Sequence, residues 1–300
     1  EGKVALIAGG GQGIGEGIAR CVAEEGADVA IADINTDNAE AVAGRAKAMG
    51  RKALAISVDL TDDSEVQKTV QGTADFFGKI DILINNVGGV SEETGKIMAD
   101  YYASLKDATL PTYMRYNSEL WDRFYQLNLK THVMLSNAVT PHLIKQRSGS
   151  IVNISSIAGR NPDPDQMPYA AFKAGDISIT WSLARALAPY NVRVNCICPG
   201  FVYTPLWERG AIAMLDFVRD AISKGQELPP RYRFFRERNI DVEDLSPNEF
   251  WLNYIVKPIT PLGRDQTAED MGRAAVFLVS EDAKNITGQV LHVDGGMTMR

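Results

Sequence analysis

Cysteine and histidine are both scarce, with three of each in 300 residues. Cys21, Cys196 and Cys198 make neither a Cys-x-x-Cys pair nor an even framework, and His132, His142 and His292 are scattered, which argues against disulfides and structural zinc. Reduced thiols and no metal are the expectation. Cys196 and Cys198 alternate along an apolar run, where core packing is favoured over redox chemistry. No stretch approaches the ~18 consecutive apolar residues that cross a bilayer, and the N-terminus lacks a basic patch, apolar stretch and small-residue cleavage site. A cytoplasmic protein without a membrane partner is expected, although an opening at Glu1 leaves room for a leader removed earlier. Basic charge is in deficit, 31 residues against 38 acidic ones for a net −7, which speaks against nucleic acid or anionic lipid. A small-molecule partner remains. Repeats and Pro/Ser-rich linkers are also lacking, so residues 1–300 read as one domain.

What is present is a recurring pattern of short Val- and Ile-rich runs separated by helix-length stretches: Val4 to Ala8, Val29 to Ala32, Ala53 to Val58, Ile82 to Ile84, Ile151 to Ile154, Val192 to Ile197 and Val290 to Val293. Strands alternating with helices imply a parallel sheet. The runs are continuously apolar, as in strands covered on both faces, which gives an α/β class and a doubly wound sheet of about seven strands.

The first run leads into Gly9-Gly10-Gly11-Gln12-Gly13-Ile14-Gly15, and the helical pattern Ile14, Ile18, Val22 starts inside the glycines. Such a turn lets a pyrophosphate approach the backbone at a helix N-terminus. No Gly-Lys-Ser/Thr follows, which disfavours a triphosphate loop. Eighteen residues after Gly15, Asp33 ends the second run, where a carboxylate can hold the hydroxyls of an adenosine ribose. The alternative is a loop acid or N-cap. Asp33-Ile34-Asn35-Thr36 offers no cation for a 2′-phosphate, so the predicted cofactor is NAD and not NADP. Tyr169 and Lys173 lie four apart in an Ala-rich stretch that reads as a helix, with both on one face. An ammonium beside a phenol favours the phenolate and can make it a base at neutral pH. Ser156, thirteen residues earlier, follows the fifth run.

In this order the chain resembles the short-chain dehydrogenase/reductase family, from about Lys3 to Gly296: Ala8-Gly9-x-x-x-Gly13-Ile14-Gly15, Asp59-Leu60, Asn85-Asn86-Val87-Gly88, Asn128, Ser156, Tyr169-x-x-x-Lys173, Pro199-Gly200 and Val293-Asp294-Gly295-Gly296. The resemblance implies a Rossmann-type fold and a catalytic tetrad. Tyr169 is then the general acid/base, Ser156 bonds the substrate oxygen, Lys173 holds the nicotinamide ribose, and Asn128 anchors a relay water. It also places Asp59 and Leu60 near the adenine, Asn86 and Gly88 beside its ribose, and Pro199, Gly200, Val202 and Thr204 at the nicotinamide end. Ala8 stands where the family usually has Thr, Val87 replaces Ala and Phe172 replaces Ser, and the first change removes a hydroxyl brace to the Asn85 strand. A homotetramer or homodimer is implied as well.

The chain is longer than is usual for that resemblance. The excess falls at about 89–117 and 205–258, after the fourth and sixth strands, which predicts two lid-like insertions over the substrate. Residues 101–125 carry seven aromatics and 201–254 carry ten, of twenty-four in all. Tyr101, Tyr102, Tyr113, Tyr116, Phe201, Tyr203, Trp207, Phe217, Phe234, Phe235, Trp251 and Tyr254 either line an apolar pocket or pack the insertions down. Packing is expected for most, with Tyr203 and Trp207 touching substrate. Arg231, Arg233, Arg236 and Arg238 either bind an anion or pair with Asp241, Glu243 and Asp244, and pairing is favoured. His132 and His142 are expected to be packing or surface residues. The predicted activity is NAD-dependent interconversion of a secondary alcohol and a ketone, acting on a bulky hydrophobic or ring-containing alcohol. The alternatives are a carbonyl reductase working mainly in reverse and a non-catalytic dinucleotide-sensing scaffold.

Overall fold

The computed structural model describes residues 1–89, 116–228 and 232–299. All seven predicted runs are strands: β1 (Val4–Ala8), β2 (Asp28–Asp33), β3 (Ala53–Ser57), β4 (Ile82–Asn85), β5 (Gly149–Ile154), β6 (Val192–Pro199) and β7 (Val290–Val293). They form one sheet in the order β3-β2-β1-β4-β5-β6-β7, parallel throughout. The pleat sends alternate residues to opposite faces. Ala5, Ile7, Val29, Ile31, Ile82 and Ile84 enter one core with helices α1 (Gly13–Glu24), α2 (Thr36–Ala48) and α10 (Ala268–Val279). Leu6, Ala8, Ala30, Ala32, Leu83 and Ile151 enter another with α3 (Asp63–Phe77), α5 (Thr131–Gln146) and α6 (Met167–Leu187). Cover on both faces is why the strands read as unbroken apolar runs.

α5 continues from α4 (Ser118–Tyr125) through a widened π turn at Gln126–Lys130. Beyond β6, the second insertion is a helical lobe of α7 (Pro205–Ser223), α8 (Phe234–Glu237), α9 (Pro247–Phe250) and a π turn at Trp251–Val256. It has a core of its own, built on Ala211, Leu215, Val218, Phe235, Phe250 and Trp251. Most of the first insertion, with Tyr101, Tyr102 and Tyr113, lies outside the described residues. Among those described, no helix is long and apolar enough to cross a membrane, and no group of His, Cys, Asp and Glu forms a metal site. The three cysteines are free and buried, and Cys196 and Cys198 pack with Ile177.

Candidate active site

β1 ends at the glycine turn, and its geometry excludes side chains. Gly9 and Gly13 have φ of 68° and 56°, a region open to glycine, and a Cβ on Gly15 would run into the Gly9 carbonyl. Ile14 and Gly15 begin α1, and Gln12 is its exposed N-cap residue. Where Ala8 lacks the family hydroxyl, Asn86 supplies a brace: its Nδ2 donates to the Gly9 carbonyl at 2.8 Å. At the end of β2, Asp33 is buried, with Oδ2 accepting from the Gly11 amide at 2.8 Å and Oδ1 from the Asn35 amide at 3.0 Å. Ionised carboxylates hold such backbone donors strongly and retain further lone pairs.

After β3, Asp59 is exposed and accepts from the Thr61 amide and hydroxyl, whereas Leu60 is buried in the core. On the other side of the turn, Pro199 ends β6, the Gly200 amide donates to the Val293 carbonyl, and Val202 bridges Gln266. Thr204 is the N-cap of α7, and its Cγ2 lies 3.4 Å from the position of a Cβ on Gly13. The two ends of the predicted dinucleotide site thus flank one glycine turn.

The residues predicted to handle the proton gather at the ends of β4 and β5. Lys173 is 3% exposed on α6, with Nζ donating to the Ile154 carbonyl at 2.8 Å and to Asp176 Oδ2 at 3.0 Å. Its Nζ lies 6.0 Å from the centroid of the half-buried Tyr169 ring. Burial pulls the ammonium pKa down, but the charges of Asp176 and Tyr169 and the bond to Asp176 outweigh it and leave the pKa raised. Ser156 follows β5, and its Oγ accepts from the Ala158 amide at 3.1 Å. The short turn it caps is pressed on α6, since a Cβ on Gly159 would come within 2.8 Å of the Lys173 backbone. Ser155 Oγ donates to the Lys173 carbonyl at 2.6 Å.

Asn128 sits in the π turn, fully buried. Its Oδ1 accepts from the Gly89 amide at 2.7 Å, and its Nδ2 donates to the Gly89 and Phe124 carbonyls at 3.1 and 3.2 Å. Both side-chain donors are thereby used, one on the loop after β4 and one on the last turn of α4. A Cβ on Gly88 would lie 3.0 Å from Asn128 Oδ1 and 3.1 Å from Lys173 Nζ, so Gly88, Asn128 and Lys173 converge.

Residues 3–211 match the short chain dehydrogenase family model, and residues 249–298 match the enoyl-(acyl carrier protein) reductase model. The chain belongs to the short-chain dehydrogenase/reductase family. It is an oxidoreductase of that family. Similar short-chain dehydrogenase/reductase proteins include the 3-oxoacyl-(acyl-carrier-protein) reductases FabG of Thermotoga maritima, 33% identical over 100% of this chain and 99% of the relative, and of Chlamydia muridarum, 35% identical over 98% and 97%. Among solved structures, NAD+-bound xylitol dehydrogenase matches with TM-score 0.79 and 28% identity over 99% of both chains. A 7α-hydroxysteroid dehydrogenase complexed with NADH and 7-oxo glycochenodeoxycholic acid matches with TM-score 0.73 and 29% identity, over 99% of this chain and 94% of that one.

The aromatics follow the packing expected for most of them, whereas the basic cluster and His132 depart from expectation. Phe217, Phe234, Phe235, Trp251 and Tyr254 pack among themselves or within the lobe core. Tyr116 meets Phe124 edge-on. Phe201, Tyr203 and Trp207 are half-buried around Trp251, at centroid distances of 5.3, 5.9 and 4.8 Å. Arg233 pairs with Glu227, and Arg236 donates to the Ala221 carbonyl, so these two arginines are held by groups that precede the cluster and not by the acidic run that was expected to pair with them. Arg231 lies outside the described residues. His132 is neither at the surface nor packed among apolar groups alone: it is wholly buried, with Nδ1 2.8 Å from Asp176 Oδ1 and Nε2 2.7 Å from the Val87 carbonyl. Spacing within one helix gave no sign of that contact, because it joins α5 to α6.

Proposed function

We propose that the chain is an NAD-linked enzyme interconverting a secondary alcohol and a ketone, with Tyr169 as the proton-transferring residue. The observation that carries this reading is the buried Lys173 ammonium 6.0 Å from the Tyr169 ring, a cation that favours the phenolate. The glycine cradle, in which side chains would collide with backbone, and the Asp33 carboxylate fit a dinucleotide with a free ribose. Gly9, Gln12, Gly13, Ile14 and Gly15 hold its pyrophosphate, Asp33 its adenosine ribose, Asp59, Leu60, Asn86 and Gly88 the adenosine side, and Pro199, Gly200, Val202 and Thr204 the nicotinamide side. The bound nucleotide supplies the two-electron acceptor or donor.

Tyr169 takes the substrate hydroxyl proton at its phenol oxygen in oxidation and returns it in reduction. The Ser156 hydroxyl donates to the substrate oxygen. Lys173 has three donors, of which two are held by Ile154 and Asp176; the third would serve the nicotinamide ribose. Asn128 has used its amide donors, so a relay water is held by the second lone pair of Oδ1 or by a main-chain carbonyl of the wide turn. Tyr203 and Trp207, beside the aromatic lobe, favour a bulky apolar or ring-containing alcohol. A homodimer or homotetramer, packed through the helices that carry Asn128 and Tyr169, belongs to the same reading.

A second reading, reduction of a 3-oxoacyl thioester, is favoured by the full-length likeness to the FabG reductases. The test offers secondary alcohols with NAD or NADP, and the matching ketones and a 3-oxoacyl thioester with each reduced nucleotide, to the wild type and to Tyr169→Phe. Turnover of ring alcohols with NAD that vanishes in the variant supports the first reading. Turnover of the thioester alone supports the second, and activity surviving in Tyr169→Phe overturns the role of the phenol.

A further inference from the structure

Three ionisable side chains lie in line beneath the candidate site, and only one has so far been given a task. Lys173 Nζ donates to Asp176 Oδ2, and Asp176 Oδ1 faces His132 Nδ1. His132 Nε2 faces the Val87 carbonyl. Lys173 is 3% exposed, and Asp176 and His132 are wholly buried. A carbonyl only accepts, so Nε2 carries a hydrogen and donates to Val87. The contact between Nδ1 and Oδ1 then needs one further proton, on the imidazole or on the carboxyl. Either placement makes the Asp176–His132 pair neutral as a whole.

Without that proton, Asp176 would be an anion 3.0 Å from the Lys173 ammonium and would cancel its field at Tyr169, because opposite charges this close act on a third group almost as a dipole. We propose that His132 is a positioning residue: by sharing one proton with Asp176 it balances the charge of the carboxylate, which still holds the Lys173 ammonium at close range, so that Lys173 faces Tyr169 with no net anion beside it. The contact to Val87 also ties the pair to the loop after β4, next to Gly88. The inference rests on Tyr169 being the acid/base. Other titratable groups facing the cluster are Cys196 and Cys198 of β6; burial pushes the Cys196 thiol up, and a hydrogen bond from Cys196 draws Cys198 down. Ser155, Asn128 and the Ile154 and Val87 carbonyls complete the surroundings with neutral groups.

The test reads Tyr169 directly. Near-ultraviolet phenolate absorbance is titrated against pH in the nucleotide-free protein, and the same variant carrying Tyr169→Phe is subtracted. His132→Phe is expected to raise the Tyr169 midpoint by about one pH unit. The acid limb of kcat/KM moves up with it, while KM for the nucleotide stays in place. His132→Phe combined with Asp176→Asn returns the midpoint to its wild-type value. Asp176→Asn alone leaves the midpoint unmoved, because its amide donates to Nδ1 and its oxygen accepts from Lys173 as the neutral pair does. An unshifted midpoint in His132→Phe, or no recovery in the double variant, overturns the proposal. Should Phe at 132 prevent folding, Asp176→Asn decides alone: a fall of a unit or more would mean that the Asp176–His132 pair carried a net negative charge, and would overturn the proposal. Phenolate shifts as described in a protein that turns over neither alcohols nor ketones would sink the proposed reaction and leave this inference standing.

Discussion

Asp33 is held by the amides of Gly11 and Asn35, an arrangement that orients its carboxylate before any ligand arrives. A Cβ on Gly11 would come within 2.8 Å of that carboxylate, so the glycine turn and the acid are fitted to one another. Asp33→Ala removes an ionised acceptor, and hydrogen bonds to charged groups contribute roughly 1.5–3 kcal/mol. kcat/KM with NAD is expected to fall about 10- to 100-fold, while that with NADP rises as repulsion of its phosphate disappears. Steady-state rates with both nucleotides check this, and unchanged preference would show that Asp33 faces something else. Asp33, Ser156, Tyr169 and Lys173 were legible in the sequence because spacing along one chain fixes their place on a strand end or helix face. Asp176 also left a trace, as a charge three residues beyond Lys173 on the buried face of α6. Its partner His132 did not, since contact between two helices depends on tertiary packing that no local spacing encodes.

At the scale of elements, the strands were readable because burial on both faces demands unbroken apolar runs. The irregular pieces were not. The π turn at Gln126–Lys130 has ordinary helix-forming residues, and what marks it is Asn128 donating to the Phe124 carbonyl; such turns recur at functional sites. The lobe after β6 was legible in composition, since its aromatics needed a place, but not in the path that stacks them. Contact between α1 and α10 depends on two glycines: a Cβ on Gly17 would lie 2.5 Å from the Ala268 carbonyl oxygen, and one on Gly272 would lie 2.5 Å from Cys21 Sγ. Gly272→Val therefore forces the helices apart, and overpacking costs about 1–3 kcal/mol. Gly44, in α2, has open space around its Cβ position, so Gly44→Ala is expected to stabilise by roughly 0.5–1 kcal/mol through helix propensity. Denaturant melts of the two variants are expected to move in opposite directions. A neutral Gly272→Val would mean that α1 and α10 yield without strain.

For the whole molecule, the decisive feature is where the strand order reverses. β1, β2 and β3 run to one side and β4 to β7 to the other, so a crevice opens between β1 and β4 at the carboxyl ends of the strands. Asp33 lies on the first side; Asn128, Ser156, Tyr169, Lys173 and Thr204 lie on the second, joined across the crevice by Asn86 bonding Gly9. A dinucleotide spanning both sides stabilises the fold by mass action, about 2.7 kcal/mol at a hundred times Kd. For a chain of this size the melting temperature is then expected to rise by roughly 5 °C. Amide exchange gives the sharper check. NADH is expected to slow exchange in the loops after β1 and β2 and, together with them, in those after β5 and β6, whereas adenosine monophosphate protects the first group only. Protection by NADH confined to one side would mean that the nucleotide does not bridge the reversal, and that Tyr169 and Lys173 are not brought to its reactive end.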